Sequence, residues 1–259
     1  MITIKTEKDI LNLKQAGKIL AGVLDEVIKQ VKPGVKTAEL DALAEKLILE
    51  HGCLPSFKEY SERDGVPKFP STLCTSVNQE VVHAPASGRL LKNGDIVGID
   101  IGLRIKAGGR NYFVDMSKTV PVGKINRRAK KLIKVTERAL ELGIAQIKPG
   151  SHISDISRAI QQYAESQSFS VVRDLVGHGV GFAVHEPPRI PNYIEPGAPE
   201  VELKTGMVLA IEPMVNVGGW QIKTLADGWT VVTADGSLSA HFEHTVVVTT
   251  SGHVILTSP

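Results

Sequence analysis

Gly94-Asp-Ile-Val-Gly-Ile-Asp100 is an apolar, strand-like run ending on a carboxylate, and Gly206-Met-Val-Leu-Ala-Ile-Glu212 repeats the pattern in the second half of the chain. The echo extends in both directions. Downstream, Phe113-Val-Asp115 leads into Met116–Val120, and Phe242-Glu243 leads into His244–Val248. Upstream, two long runs carry apolar residues at helical spacing, from about Glu7 to Gln30 and from about Asn126 to Ile147. Each closes on the same signal, Val31-Lys-Pro-Gly34 and Ile147-Lys-Pro-Gly150, where proline and glycine stop a helix. A shorter helical pattern follows each stop, with Thr37 and Ser154 as expected N-caps. The chain therefore reads as two related halves, about 7–120 and 126–250, within a single domain of residues 1–259. Two copies make a duplication rather than a solenoid. Four helices with Gly-rich, strand-like segments predict an α+β fold, helices on one face of an antiparallel sheet.

The 259 residues allow a sizeable core, and 42% hydrophobic with 22% charged residues is ordinary for a globular protein. A net charge of +2 gives no argument for nucleic acid or membrane partners, and 5% aromatic content weakens base stacking. Two cysteines, Cys53 and Cys74, imply no disulfide framework, so the reducing cytoplasm is the expected compartment. The N-terminus has no signal-peptide core, and no stretch is apolar enough to span a bilayer.

The chemistry lies in the acids. Asp100 and Glu212 sit in runs that read as buried strands, where a lone ionised carboxylate costs several kcal/mol unless paired. A buried salt bridge is the ordinary alternative for each. Lys106-Ala-Gly-Gly-Arg110 marks a hairpin turn; centred near Gly108, it sets Asp100 opposite Asp115. Opposed like charges repel, and a cation removes the objection. By the internal echo Glu243 takes the place of Asp115, so each half supplies an acid pair. Two divalent ions would neutralise four carboxylates. Oxygen-dominated ligation favours Fe(II), Mn(II) or Co(II) over a thiolate zinc site. His178 lies between glycines that permit close backbone approach, and a bend near Gly179–Gly181 would bring His185 to the same place. His83 alone is a weaker signal, with a loop or core histidine as the ordinary reading.

At these residues the chain resembles the type I methionine aminopeptidases. The matching blocks are Ser76-Val-Asn78 with Val82-His83, Gly94-Asp-Ile-Val97 with Ile99-Asp100, Asp115-Met-Ser117, Gly177-His-Gly-Val-Gly181 with His185-Glu-Pro187, Ile211-Glu-Pro-Met214 and Glu243-His-Thr245. Singly they are modest; in this order they are specific. The resemblance implies the pita-bread fold and removal of the first methionine from new polypeptides, with small second residues favoured. It implies that Asp100 chelates one metal, that His178 and Glu212 bind the other, and that Asp115 and Glu243 bridge both. It further implies that Glu212 relays a proton, that His185 and His83 contact the scissile group, and that Phe69, Cys74 and Trp229 line the methionine pocket. Two departures stand out: the stretch between Asp100 and Asp115 is longer than the common form, and Val184 stands where some relatives carry Phe.

Two rival readings remain. A peptidase of the same fold that cleaves Xaa-Pro bonds usually carries a substantial N-terminal domain, and here few residues precede the first helix. A non-enzymatic binding module on this fold, docking to the ribosome or to RNA, would use Lys124, Arg127, Arg128, Lys130, Lys131 and Lys134; the ordinary reading is a solvated helix face. The expected partners are chain N-termini beginning with Met, with no membrane and no specific nucleic acid.

Overall fold

In the computed structural model, which describes residues 1–61 and 67–258, alternation along a few long strands decides which side chains meet. Helices α1 (Glu7–Ile28) and α2 (Thr37–Glu50) precede β1 (Leu54–Pro55), β2 (Leu73–Val77), β3 (Glu80–Val82), β4 (Ile96–Ala107) and β5 (Arg110–Pro121). Helices α3 (Arg127–Ile144) and α4 (Ile153–Ser166) then precede β6 (Ser170–Val171), β7 (Gly177–Gly179), β8 (Glu186–Ile190), β9 (Val208–Ile211) and β10 (Met214–Asn216). The chain closes with β11 (Ile222–Thr224), β12 (Val231–Thr233), β13 (Ser239–His241), β14 (Glu243–Thr249) and β15 (Gly252–Ile255). The main sheet runs β1-β4-β5-β14-β9-β7-β8, with β2 also on β4 and β15 also on β14, and its pairings are antiparallel.

Two apolar cores underlie this sheet. Residues of α1 and α2 pack with Val97, Ile99, Ile101 and Leu103 of β4 and with Tyr112, Val114 and Met116 of β5. Residues of α3 and α4 pack with Leu209 and Ile211 of β9 and with Val246 and Val248 of β14. Successive side chains on a strand point to opposite faces. Asp100 on β4 and Asp115, Ser117 and Thr119 on β5 alternate with these apolar residues, and Glu243 and Thr245 at the start of β14 lie on the same face as their partners on β5. All six are buried.

The expected caps need correction. Lys36 and His152, not Thr37 and Ser154, are the N-caps of α2 and α4. Glu39 and Asp155 reach back to accept their backbone N–H groups at 2.7 and 2.9 Å. The Thr37 hydroxyl bonds to Ser87 instead, and Ser154 to Glu200. α1 opens on Thr6, which shares a capping box with Asp9. The long helices also stop short of their expected ends, at Ile28 and Ile144.

Candidate active site

The β4–β5 hairpin forms, with Gly108 and Gly109 both at positive φ (56° and 80°) as a two-residue turn. Its register corrects the expected facing of the acids. Ala107 pairs with Arg110, so Asp100 lies opposite Ser117 and Asp115 opposite Gly102. A turn centre displaced by one residue moves every partner by two. Asp100 and Asp115 are therefore diagonal neighbours on one face, which spares them direct opposition.

Two rows of side chains cross that face. Cys74 of β2, Asp100, Ser117 and Glu243 are successive register partners. The adjacent row runs from Asp115 to Thr245, whose hydroxyl meets Asp115 Oδ1 at 3.0 Å, then to Ala210 and to His178. Glu212 follows directly after β9. The glycines beside His178 are dictated by packing: a Cβ on Gly177 would stand 2.5 Å from the Ala210 carbonyl, and one on Gly179 2.3 Å from that of Pro187. The β7 backbone thus fits between two neighbours, as expected of His178's glycine flanks.

His178 Nε2 lies 3.6 Å from Asp115 Oδ2 and 3.5 Å from Glu212 Oε1. Its Nδ1 faces the Gly179 carbonyl at 2.9 Å, which assigns the ring proton to Nδ1 and a lone pair to Nε2. Asp115, His178 and Glu243 each bring one ligand-type atom within 4.8 Å of the others. His185 reaches the same place across the turn after β7, its ring 4.5 Å from that of His178 and nearly perpendicular to it. Tyr60 engages His185 Nδ1 at 2.8 Å.

A cavity of about 350 Å³ opens over this cluster. Asp100, Asp115, His178, Glu212 and Glu243 line it, as do His83, His185, Phe69, Cys74 and Trp229. The ten residues singled out in the sequence are therefore brought to one place. Phe69 and Trp229 stack edge-on at 5.2 Å, with the indole N–H donating to the Pro67 carbonyl at 2.9 Å. His83 adopts φ +59, a left-handed conformation costly for a residue with a Cβ and commonest at functional sites.

Electrostatically the site is an acid trap. Burial pushes the carboxyls of Asp100, Asp115, Glu212 and Glu243 up, and repulsion from neighbouring acids adds to it at Asp100, Glu212 and Glu243; His241 acts against this at Asp100, His185 at Asp115 and His178 at Glu212. Burial also pushes the Cys74 thiol up, beside Asp100. His241, Thr245, Asn192 and Tyr60 were not among the expected site residues. His241 is 3% exposed with Nε2 3.5 Å from Glu212 Oε2, and Asn192 donates to the Glu212 carbonyl at 3.0 Å. His241 was detectable in principle, because in Ala240-His-Phe-Glu243 it stands two residues from an acid, on one face of any extended strand.

The chain matches the model of metallopeptidase family M24 over residues 12–250. It therefore belongs to that family. Methionine aminopeptidase 1 from Bacillus subtilis (strain 168) is 49% identical to it over 257 residues, 99% of both chains. The crystal structures of methionine aminopeptidases from Rickettsia prowazekii and Thermotoga maritima match it at 41% and 43% identity. Each has a TM-score of 0.93 and covers 100% of both chains. Within the family the chain thus falls among the methionine aminopeptidases, and its fold is the pita-bread fold.

Proposed function

We propose that this protein removes the N-terminal methionine from new polypeptides, using two divalent ions held by Asp100, Asp115, His178, Glu212 and Glu243, and that it favours small second residues. The observation that carries the reading is the gathering of these five side chains in one cavity of a full-length match to methionine aminopeptidases. The residues fit the ions. Asp100 Oδ1 is buried and accepts no hydrogen bond among the described residues, and the buried carboxyls of Asp100, Asp115 and Glu243 crowd together with half-buried Glu212 beside them. Such a set is satisfied by cations and costly without them. Its donors are carboxylate oxygens and imidazole, which favours Fe(II), Mn(II) or Co(II).

Asp100 would hold one ion, His178 and Glu212 the other, with Asp115 and Glu243 between them. When bound, the ions bring a water's pKa near neutrality and polarise a carbonyl. The protein supplies the rest. Glu212 accepts the proton of the attacking water and passes it on. His185 and His83 donate hydrogen bonds where charge develops on the scissile group. Phe69, Cys74 and Trp229 surround the methionine side chain, an apolar lining suited to a flexible thioether. The whole of residues 1–259 acts as one catalytic domain built from duplicated halves at about 7–120 and 126–250, and the cytoplasm is its compartment. Transient association with the ribosome belongs to the same proposal. Lys124, Arg127, Arg128, Lys130, Lys131 and Lys134 are the exposed cations for it, of which Arg128 and Lys131 also bond to the Ser168 and Gln167 carbonyls. No helix among the described residues is long and apolar enough to cross a membrane.

The test is hydrolysis of Met-Ala-Ser by metal-stripped protein to which defined ions are restored anaerobically. The expected result is activity that returns with Mn(II), Fe(II) or Co(II). Faster cleavage of Ala-Pro-Gly than of Met-Ala-Ser would reverse the reading in favour of an Xaa-Pro peptidase.

A further inference from the structure

His241 is held more firmly than a space-filling histidine needs to be. It ends β13, opposite Met214 of β10. Its backbone N–H donates to Thr119 Oγ1 at 2.9 Å, and its carbonyl accepts from the same hydroxyl at 2.8 Å. Both main-chain groups are thus pinned to β5, which fixes where the ring can lie. The ring is buried, and Nε2 has no hydrogen-bond partner among the described residues. A buried ring nitrogen without a partner costs on the order of 1–3 kcal/mol, so the position needs a reason. The nearest acid supplies one: Nε2 lies 3.5 Å from Glu212 Oε2.

Glu212 has an imidazole at each oxygen. Oε1 faces His178 Nε2 at 3.5 Å, and Oε2 faces His241 Nε2 at the same distance. Its backbone carbonyl is tied to the amide of Asn192, itself fully buried. The two histidines differ in what they can offer. His178 commits Nδ1 to the Gly179 carbonyl, so its Nε2 carries a lone pair. A lone pair on Nε2 of His241 would meet a carboxylate with repulsion, whereas an N–H would meet it with attraction. At Oε1 two lone pairs face one another, which suits a shared cation, whereas at Oε2 only a donor relieves the repulsion.

From this geometry we infer that His241 is a positioning residue for the reaction. Its Nε2–H holds Glu212 Oε2 and so keeps Oε1 turned towards His178. The inference rests on the proposed metal site, because its consequence is the aim of one metal-binding carboxylate. Groups that orient metal ligands in this way typically alter metal affinity or activity by about 10–100-fold when removed.

The experiment compares His241→Leu, which removes the donor, with His241→Gln, whose amide N–H reaches about as far as Nε2–H. Full-length proteins are titrated with Mn(II) by calorimetry, and kcat and KM are measured on Met-Ala-Ser. The expected result for H241L is an Mn(II) affinity about 10–100-fold weaker at one site, with a fall in kcat and little change in KM. H241Q should recover both to within about threefold, less than the tenfold that corresponds to 1.4 kcal/mol. If H241L binds Mn(II) and turns over like the parent protein, the inference is overturned. If H241Q is as impaired as H241L, a hydrogen-bond donor is not what the site needs, and the inference is again overturned. Should H241L fail to fold, His241→Asn replaces it, since its amide stops a bond short of Glu212; equal Mn(II) affinity in the Asn and Gln variants overturns the inference. Failure of the metal reading itself looks different: the unsubstituted protein would bind no Mn(II), and both ideas would fall together.

Discussion

Replacing Lys5 by Met should destabilise the protein by about 3 kcal/mol, because it strands a carboxylate that holds the His185 loop. Lys5 and Glu186 form a buried pair at 2.6 Å, with side chains 1% and 6% exposed. Glu186 also accepts from the Thr3 hydroxyl and from the backbone N–H groups of Phe182 and Ala183, which lead directly to His185. The two partners point opposite ways on the worth of the pair. Burial holds the Lys5 ammonium below its ordinary value despite the attraction of Glu186. Burial would raise the Glu186 carboxyl, but bonds from Lys5, Thr3 and Phe182 hold it below its ordinary value. Lys5 itself gives the strongest downward pull at Glu186, with Thr3 and Phe182 adding to it, whereas at Lys5 burial outweighs the pair; the two effects oppose, so forming the pair is nearly neutral, and breaking it is what costs. Loss of one partner of a buried pair typically costs about 3–5 kcal/mol, and the three remaining donors place this case at the lower end. Met fills the space of the lysine stem, so no large cavity is added. At roughly 2–4 °C per kcal/mol for a chain of this size, Tm should fall by about 6–12 °C. Equilibrium urea unfolding reads the loss directly as a shifted midpoint at unchanged slope. Lys5→Met with Glu186→Gln should recover part of it, since the amide oxygen still accepts the loop N–H groups without a stranded charge. Lys29→Met, at an exposed pair, is the control and should leave the midpoint in place. A single variant costing less than about 1 kcal/mol, or a double variant no more stable than the single, would refute the reasoning.

Thr245→Val removes a hydroxyl that both accepts the Asp115 N–H at 3.1 Å and donates to Asp115 Oδ1, so thermal unfolding should show a loss of about 1–3 kcal/mol. A loss below about 0.5 kcal/mol would show that the bond is dispensable. Without divalent ions the raised carboxyls of Asp100, Asp115, Glu212 and Glu243 mean that the folded state binds more protons than the unfolded state. Stability should then fall as pH rises from the ordinary carboxyl range through the raised values. Mn(II) at about 100 times its Kd should restore roughly 2.7 kcal/mol at neutral pH, read as a Tm increase that EDTA reverses. Met1 is followed by the bulky Ile2, so intact-mass measurement should find Met1 retained; its loss would contradict the proposed preference for small second residues.

Much of the fold was legible because its signals are local. Helical periodicity with Pro-Gly stops placed four helices, and Gly108-Gly109 announced the long hairpin. The hairpin register was not legible, since it depends on which two residues occupy the turn. The caps failed for a related reason: Thr37 and Ser154 have the right chemistry for an N-cap, but Glu39 and Asp155 satisfy the helix starts one and two residues earlier, freeing those hydroxyls for Ser87 and Glu200. The acids stood out as polar residues in apolar runs. Their supports did not. Thr245 and Asn192 are ordinary strand and loop residues until the sheet brings them to Asp115 and Glu212. The spacing of His241 to Glu243 was legible, but its partner Glu212 lies in a distant part of the sequence and only the fold brings the two to 3.5 Å.

The most direct measurement is an anomalous-difference map from crystals of the metal-stripped protein soaked in Mn(II), with data collected at the manganese edge. The account predicts two peaks inside the cavity, one against Asp100, one against His178 and Glu212, with Asp115 and Glu243 touching both. A map with no peak among these five residues, or with manganese bound only elsewhere on the protein, would contradict it.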